Sequence, residues 1–462
     1  MSGSAGDPPA PILGSRISER RGRAGASPAP TGLVPISFLA PQNWGGGAFL
    51  LFFLALIFCL TPLRAQQAPP GPFFLHDGDT VVFYGDSVTE QGRYTRDIET
   101  WTLVHHPDWH VRFISSGWNS DTAEGGKGGP IDVRLRRDVL PYRPTVVTIL
   151  LGTNDAQYRA FNDADFQAYT QGMTHIVDTL TRALPGVRLV LLTPTFYDEF
   201  APGSHHIKGY NAVMQRYGDS VKTLAETREL TVIDLNAPLR AATVEGRKTS
   251  RRFTLVPDGV HPNEAGHLII ATTILRAWNA PAEVPTATVG PRLPQILTLP
   301  PPWPLPDAAR AALTVSPDAA ALVGLRLQSP SDDPVSPGSR RELTVGAALP
   351  VFLPPGQVDP ADLTGFPTLP PNVRAQTVLA SVQERLDTWH FLWKGGPHAL
   401  ARQSDTPTEA QIAALRTVDH WLDARRDESR ALALPQPHTW VVRSLPPLPA
   451  SVIKAAPQRR RH

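Results

Sequence analysis

Five short apolar runs, each separated from the next by a longer mixed segment, most constrain the fold of this chain. They are rich in Val, Ile and Leu, and they occupy residues 80–84, 111–115, 146–151, 188–192 and 231–234. Runs of this length are typical of strands buried on both faces of a parallel sheet, and the intervening segments are long enough for crossover helices. The sequence therefore predicts a three-layer α/β/α domain with a five-stranded parallel sheet.

Three of the intervening or following segments carry apolar residues at helical spacing. They are residues 163–184, 210–227 and 264–278, and Pro185-Gly186 ends the first of them. Proline and glycine directly after a periodic stretch are typical of a helix end. We therefore expect helices in these three places.

Polar residues with chemical potential follow the predicted strands. Ser87 follows the first run, Ser120 the second and Asn154 the third, while Asp258 and His261 come after the fifth. In open α/β sheets, ligands bind beyond the carboxyl ends of the strands. The sequence therefore predicts that these five side chains share one edge of the sheet.

Three short motifs contain most of these residues. They are Gly-Asp-Ser-Val at 85–88, Gly-Thr-Asn-Asp at 152–155 and Asp-Gly-Val-His at 258–261. In this order they supply a nucleophile, an oxyanion donor and an acid–base pair. Those are the groups that acyl-transfer catalysis requires.

The motifs and their order resemble the SGNH (GDSL-type) hydrolase family over roughly residues 79–280. The resemblance implies a flavodoxin-like fold and a serine esterase that needs no cofactor. Ser87 would be the nucleophile, His261 the general base and Asp258 the group that orients the imidazole. The oxyanion hole implied by the family is formed by the backbone N–H groups of Ser87 and Ser120 and by the Asn154 amide.

One position departs from the family pattern. Where the family usually has glycine before the Asp-Thr pair at 121–122, this chain has Ser120, and Gly117 lies three residues upstream. A serine backbone still offers an N–H, but a positive φ at this position would strain it. We therefore assign the donor to Ser120 and keep Gly117 as the alternative.

Taken singly, these residues also have purely structural interpretations. Ser87 could cap the following helix, and Asn154 could be a turn residue. Asp86 and Asp155 are expected to brace loops rather than to take part in chemistry.

No metal or cofactor site is predicted. Cys59 is the only cysteine and lies in a segment that we expect to be removed, so disulfides and cysteine-based metal sites are excluded from the mature chain. The histidine pairs at 105–106 and 205–206 have no carboxylate cluster beside them at ligand spacing. The net charge of +2 gives no electrostatic reason to expect nucleic acid as a partner.

The amino-terminal residues are typical of an exported protein. Residues 1–47 form a basic leader predicted to be disordered, residues 48–65 an apolar signal region with its cleavage end at Arg64-Ala65, and residues 66–78 a linker. The apolar run is short for a membrane span and fits a signal peptide. We expect a secreted or periplasmic protein without a stable membrane anchor; an uncleaved anchor is the alternative.

The chain changes character after the predicted hydrolase domain, which we place at residues 79–283. More than half of the 49 prolines follow Ala280. Amphipathic periodicity then returns and predicts two helices joined as a hairpin, whose apolar stripes need a surface to pack against. The predicted segments are a Pro-rich stretch with short strands (284–371), the helical hairpin (372–432) and a mobile tail (433–462).

The sequence therefore predicts a secreted serine esterase that removes a small acyl group, acetyl in particular, from a saccharide. The expected partner is a small ester or an acetylated saccharide. One alternative is a lipid or aryl esterase of the same family. An alternative from another class is a non-catalytic glycan-binding protein of the cell envelope on a retained fold.

Overall fold

The structure is a computed structural model, and it describes residues 71–290, 293–330, 340–353, 360–395 and 408–445. The predicted leader, the signal region with Cys59 and residues 66–70 of the linker lie outside the described residues. Within the described ranges, no helix is both long and apolar enough to cross a membrane.

A parallel five-stranded sheet forms the centre of the first part of the chain, in the strand order β2-β1-β5-β6-β7. A short hairpin of two two-residue strands, β3 and β4, lies between β2 and β5 in the sequence. The predicted α/β fold is confirmed, because each of the five apolar runs forms one strand of the sheet. The strands are β1 (Thr80–Gly85), β2 (Arg112–Gly117), β3 (Gly125–Gly126), β4 (Gly129–Pro130), β5 (Val146–Leu150), β6 (Arg188–Leu192) and β7 (Thr231–Ile233).

Helices cover both faces of this sheet. Alternate residues of β1 point to opposite faces, so that Val81 and Phe83 lie in one apolar core while Val82 and Tyr84 lie in the other. The helices that we predicted at 163–184, 210–227 and 264–278 are confirmed to within one residue. The helices are α1 (Ser87–Glu90), α2 (Arg93–His105), α3 (Ile131–Asp138), α4 (Asp163–Ala183), α5 (Tyr210–Thr227), α6 (Asn236–Thr249) and α7 (Glu264–Ala277).

The Pro-rich segment contains the short strands expected from the sequence, and they are organised into sheets. Its strands form a three-stranded sheet, in the order β13-β10-β8, and, together with β14 from the end of the described chain, a four-stranded antiparallel sheet, in the order β12-β11-β14-β9. The two sheets enclose a third apolar core. The strands are β8 (Thr286–Thr288), β9 (Gln295–Leu299), β10 (Arg326–Gln328), β11 (Arg340–Val345), β12 (Val351–Leu353), β13 (Ala361–Asp362) and β14 (Gln436–Leu445).

The prediction of a mobile tail from residue 433 is wrong for residues 436–445. This segment is β14, and it pairs with both β9 and β11. Trp440 and Val442 point into the third core and are buried. The partner β11 lies about a hundred residues away in the sequence, so a local pattern gives no sign of the pairing.

The predicted helical hairpin is present and packs on the α/β domain. Two short helices precede it, α8 (Ala312–Val315) and α9 (Pro317–Leu322); the hairpin itself consists of α10 (Pro370–Gly395) and α11 (Glu409–Ala433). It covers β2, the edge strand of the parallel sheet. Trp389 Nε1 donates to the Ser115 carbonyl at 3.1 Å, and Arg426 donates to the Phe113 carbonyl at 3.5 Å. A sheet edge covered in this way cannot pair with another chain.

Candidate active site

Ser87 is the first residue of the short helix that directly follows β1. The Asp86 side chain accepts a hydrogen bond from the Val88 N–H at 3.0 Å, so Asp86 caps α1. The interpretation of Ser87 as the helix cap is therefore wrong. Ser87 Oγ instead lies 2.9 Å from Nε2 of His261. At this distance a hydroxyl can transfer its proton to the imidazole.

The Asp258 carboxylate both folds its own turn and orients the imidazole. Oδ1 accepts hydrogen bonds from the N–H groups of Val260 and His261, at 2.9 and 2.7 Å. Oδ2 lies 2.7 Å from Nδ1 of His261. Gly259 has a φ of 87°, a conformation that glycine adopts without strain. The turn thereby brings a carboxylate and an imidazole three residues apart into direct contact.

The electrostatic balance at Asp258 keeps it charged. Burial acts to raise the pKa of this carboxyl, but the backbone N–H and imidazole of His261, with the Val260 N–H, outweigh burial and hold the pKa below its usual 3.8. An ionised Asp258 stabilises the proton on Nδ1 of His261. Nε2 is then the nitrogen that accepts a proton from Ser87.

An ion pair between the buried Asp198 carboxylate and the partly exposed Arg247 supports this turn from the neighbouring loop. The Asp198 N–H donates to the Gly259 carbonyl at 3.0 Å. The Asp198 carboxylate accepts two hydrogen bonds from Arg247, at 2.8 and 2.6 Å, and one from Thr254 Oγ1 at 2.5 Å. Nothing in the sequence indicates this pair, because its members come from a loop and a helix with no recognisable motif.

Asn154 lies in the loop after β5, and its side chain reaches across to the loop after β2. Its Nδ2 donates to the Asp121 carbonyl at 2.9 Å, and its Oδ1 accepts from the Tyr158 hydroxyl at 2.8 Å. An amide nitrogen carries two hydrogens. One of them therefore is left to bind a ligand oxygen.

Ser120 has a φ of 60°. This is the positive backbone angle that would strain a serine at this position. Its side chain is exposed and donates to Asn119 Oδ1 at 2.9 Å. The Ser120 backbone directly precedes Asp121, whose carbonyl holds Asn154, so the two candidate donors lie in contacting segments.

Gly117 has a packing role that accounts for its lack of a side chain. A Cβ at this position would lie 2.1 Å from the Glu90 backbone nitrogen, so only glycine lets the end of β2 approach α1 this closely. Gly117 therefore serves the contact between β2 and α1.

Arg134, which sequence reasoning missed, holds the loop that carries Ser120. It is fully buried. Its guanidinium donates to Asp121 Oδ2 at 2.7 Å, to Asp138, and to the Ser116 carbonyl at 3.0 Å. Arg134 and Asp138 have the i,i+4 spacing of a helical ion pair. Nothing in the sequence, however, distinguishes Arg134 from the other arginines of α3 as the buried one.

Asp155 braces a loop, as expected, whereas Asp86 caps α1. Burial raises the pKa of each carboxyl to about 7, against the hydrogen bonds that each accepts from the backbone. Asp155 Oδ1 accepts from the Ala123 N–H at 2.8 Å, so it ties the loop after β5 to the loop after β2.

The histidine pairs have structural surroundings. His105 stacks on Trp101 with ring centroids 4.0 Å apart, and His106 stacks on Trp109 at 3.9 Å. His206 Nδ1 lies 2.9 Å from the Glu199 carbonyl oxygen. Across the described ranges, no group of three or more His, Cys, Asp or Glu side chains could hold a metal ion.

Ser87, Asp258, His261, Asn154 and Ser120 thus come together at the carboxyl edge of the sheet. The structure brings the first three into one hydrogen-bonded chain and the last two into adjoining loops. A hydroxyl, an imidazole and a carboxylate in this order, with N–H donors beside them, can transfer an acyl group.

Comparison with known proteins agrees with this geometry. Residues 83–269 match the GDSL-like lipase/acylhydrolase family. An acetylxylan esterase from Geobacillus stearothermophilus is 27% identical over 219 residues, which is 43% of this chain and 93% of that protein.

Solved structures give a second comparison. A gut microbial diltiazem-metabolizing enzyme, 17% identical, superimposes with a TM-score of 0.64 over 80% of this chain and 98% of its own. At that identity the likeness shows the fold alone. The solved acetylxylan esterase from Geobacillus stearothermophilus is 26% identical over 44% of this chain and 96% of its own, with a TM-score of 0.36.

Proposed function

We propose that this carboxylic ester hydrolase, whose residues 83–269 match the GDSL-like lipase/acylhydrolase family, cleaves esters through a covalent intermediate on Ser87. The observation that carries this proposal is the contact of 2.9 Å between Ser87 Oγ and His261 Nε2, with Asp258 on the other ring nitrogen. A non-catalytic binding protein would have no need to keep this chain of contacts intact.

In the first half of the proposed reaction, His261 Nε2 takes the Ser87 hydroxyl proton as Oγ attacks the ester carbonyl carbon. The carbonyl double bond opens to an oxyanion, and the charged imidazole is stabilised by the Asp258 carboxylate. The tetrahedral intermediate then collapses. The bond to the alcohol oxygen breaks, His261 returns its proton to that oxygen, and the acyl group stays on Ser87.

In the second half, water takes the place of the alcohol. His261 removes a proton from the water as its oxygen attacks the acyl carbon, and collapse returns the proton to Ser87 Oγ. The products are a carboxylic acid and the free enzyme. No redox partner or metal is part of this sequence of steps.

The oxyanion would be held by the Ser87 and Ser120 backbone N–H groups and by the second Nδ2 hydrogen of Asn154. Support for Asn154 comes from its fixed orientation, since its other amide hydrogen is already bound to the Asp121 carbonyl. Donors that are in place before the reaction stabilise the developing charge without reorganisation. One such donor is typically worth about 2.7–4 kcal/mol in the transition state.

For the substrate, we propose a small acyl group, acetyl in particular, carried on a saccharide. The similarity to an acetylxylan esterase supports this choice, at 27% identity over nearly all of that protein. The motif variant Gly85-Asp86-Ser87-Val88, followed by Thr89 to Gly92, also resembles the carbohydrate-active members of the family.

The substrate proposal is tested with p-nitrophenyl esters of increasing acyl length, together with acetylated xylan and other acetylated polysaccharides. The full chain and its Ser87→Ala variant are assayed side by side. We expect the highest kcat/KM for acetyl and release of acetate from at least one polysaccharide, both lost in the variant. A preference for long acyl chains would instead identify a lipid esterase, and activity on aryl esters alone would identify an aryl esterase.

We also propose that the protein is exported to the periplasm or the medium. The apolar run at residues 48–60 and the cleavage end at Arg64-Ala65 support this. Cell fractionation and amino-terminal sequencing of the mature protein test it. A mature terminus near Gln66 is expected, whereas a full-length protein in the membrane fraction would identify an uncleaved anchor.

A further inference from the structure

We propose that Tyr158 is a positioning residue for ester hydrolysis, whose hydroxyl orients and polarises the Asn154 amide. The inference rests on the proposed function, in which Asn154 donates to the oxyanion. It assigns a role to a side chain that lies outside all three motifs.

The orientation follows from the chemistry of the two contacts. The Asp121 carbonyl can only accept, so the amide atom 2.9 Å from it must be Nδ2 of Asn154. Oδ1 then faces the Tyr158 hydroxyl, 2.8 Å away, and an amide oxygen also can only accept. The Tyr158 hydroxyl is therefore the donor. Together the two contacts fix the direction of the remaining Nδ2–H.

The same contact strengthens Asn154 as a donor. A hydrogen bond to the amide oxygen draws electron density away from the amide nitrogen, because the two atoms share one conjugated system. Hydrogen bonds linked in series polarise one another in this way. The free Nδ2–H consequently carries more positive charge and binds a developing oxyanion more strongly.

Tyr158 stays protonated and can donate throughout the working pH range. Burial, followed by the nearby charges of Asp86 and Asp258, holds the pKa of the Tyr158 hydroxyl well above its usual value of 10.0. The Tyr158 hydroxyl is the first donor in a chain of two hydrogen bonds, from Tyr158 to Asn154 and from Asn154 to the oxyanion. It does not lose its proton as the pH rises through neutrality.

The backbone that delivers Tyr158 is strained. Gln157 and Tyr158 have φ values of 54° and 50°, two successive non-glycine residues in the left-handed region. Tyr210 stabilises this arrangement: its hydroxyl accepts from the Tyr158 N–H at 3.1 Å and donates to the Thr153 carbonyl at 2.7 Å. The Tyr158 and Tyr210 rings also stack, with centroids 5.4 Å apart. Strain of this kind persists where the surrounding structure enforces it, and it concentrates at functional sites.

Ring packing alone would require the Tyr158 ring but not its hydroxyl, and Tyr158→Phe separates the two roles. The test is a double-mutant cycle of Tyr158→Phe and Asn154→Ala, with kcat and KM measured for p-nitrophenyl acetate. The control is Tyr169→Phe. It removes another tyrosine hydroxyl, which donates to the Leu151 carbonyl at 3.2 Å, three residues before Asn154, and it leaves the contacts of the Asn154 side chain in place.

We expect Tyr158→Phe to lower kcat by about 3- to 10-fold, the usual range for one hydrogen bond, with KM unchanged. In the Asn154→Ala background the same change should alter kcat by less than about twofold, since the group it acts through is gone. Tyr169→Phe should lower the melting temperature but leave kcat unchanged.

Three results would overturn the inference: an unchanged kcat in Tyr158→Phe, an effect confined to KM, or an equal loss in the Asn154→Ala background. If Asn154→Ala itself leaves kcat unchanged, the oxyanion role in the proposed function fails instead. The two failures are therefore distinguishable in one set of four proteins.

Discussion

The α/β domain and the C-terminal third of the described chain are built on different principles. In the domain, a parallel sheet lies between two apolar cores, and every group of the candidate site follows a strand of that sheet or its loops. In the C-terminal third, short strands form two small sheets around a separate core, and a hairpin covers the β2 edge. The chemistry is therefore carried by the first part, while the second part closes its open edge.

The two parts meet through buried polar contacts as well as apolar ones. Arg385 in α10 pairs with Glu99 in α2, and both side chains are nearly inaccessible to solvent. Trp393 packs on Trp118, with ring centroids 5.1 Å apart, in the loop that leads to Ser120. The fold likeness to the gut microbial enzyme covers 80% of this chain, so it extends well beyond the α/β domain.

Deleting residues 284–462 should have the largest effect, because it uncovers the β2 edge and exposes the apolar surface of the α/β domain on which the hairpin packs. We expect the truncated chain to be insoluble or to melt at a much lower temperature than the full chain. Solubility and thermal unfolding measure this. A truncated chain that melts and hydrolyses esters like the full one would make the C-terminal third an independent module.

A single substitution in the full chain tests the same contact if the truncated chain does not fold. Arg385→Met is expected to cost about 3–5 kcal/mol in the free energy of unfolding, since it strands a buried charge. The kcat per folded molecule should stay unchanged. Loss of kcat without loss of stability would contradict the division of roles between the two parts.

A matched pair of asparagines sharpens the division. Asn154→Ala should lower kcat by about 10²–10³-fold with KM nearly unchanged, the usual loss for one oxyanion donor. Asn372 in the C-terminal third is buried and donates to the Leu363 and Phe366 carbonyls at 2.9 and 2.8 Å. Asn372→Ala should therefore lower stability and leave kcat intact. If Asn154→Ala changes only KM, Asn154 binds substrate rather than the oxyanion.

Ser120 is tested by two substitutions with opposite expected results. Ser120→Pro removes the backbone N–H and should cost about 3–4 kcal/mol of transition-state stabilisation, as kcat/KM measures. Ser120→Gly keeps the N–H and relieves the strain of a φ of 60°, so it should keep or improve activity. Circular dichroism checks folding. A folded Ser120→Pro protein with wild-type kcat/KM would exclude Ser120 as the donor and return attention to Gly117.

The smallest expected effect on turnover belongs to Asp155, whose pKa is raised to about 7 by burial. Between about pH 4 and 7 the unfolded carboxyl is ionised while the folded one is protonated, so stability falls as the pH rises through this window. Asp155→Asn, which cannot titrate, should reduce that fall without abolishing it, since Asp86 titrates similarly. Urea unfolding from pH 4 to pH 8 measures the difference. Equal slopes in both proteins would show that Asp155 is ionised throughout.

What the sequence could predict follows the same division. The five apolar runs, the helices at 163–183 and 210–227 and the residues at the strand ends were predictable, because each depends on a local period or on strand direction. β14 was not, since its partner β11 lies far away and prolines flank it. The hairpin could be predicted from its periodicity, but its position over β2 depends on tertiary contacts.

Within the site, the motif residues were predictable and their supports were not. Ser87, Asp258 and His261 stand in short motifs with a recognisable chemistry. Arg134 and Tyr158 support the site through tertiary contacts, to Asp121 and to Asn154, that no sequence motif marks. The positive φ of Ser120 could be anticipated only as a condition, because a backbone angle is set by the packing around it.

The central claim is that Ser87, activated by His261, forms a covalent intermediate, and active-site labelling tests it most directly. The full chain is incubated with a fluorophosphonate, and the modified peptide is identified by mass spectrometry while residual activity is followed. The account predicts one adduct, on Ser87, that rises in step with the loss of activity, and far slower labelling in His261→Ala. Complete inactivation with Ser87 unmodified, or an adduct on another serine that tracks the loss, would contradict it.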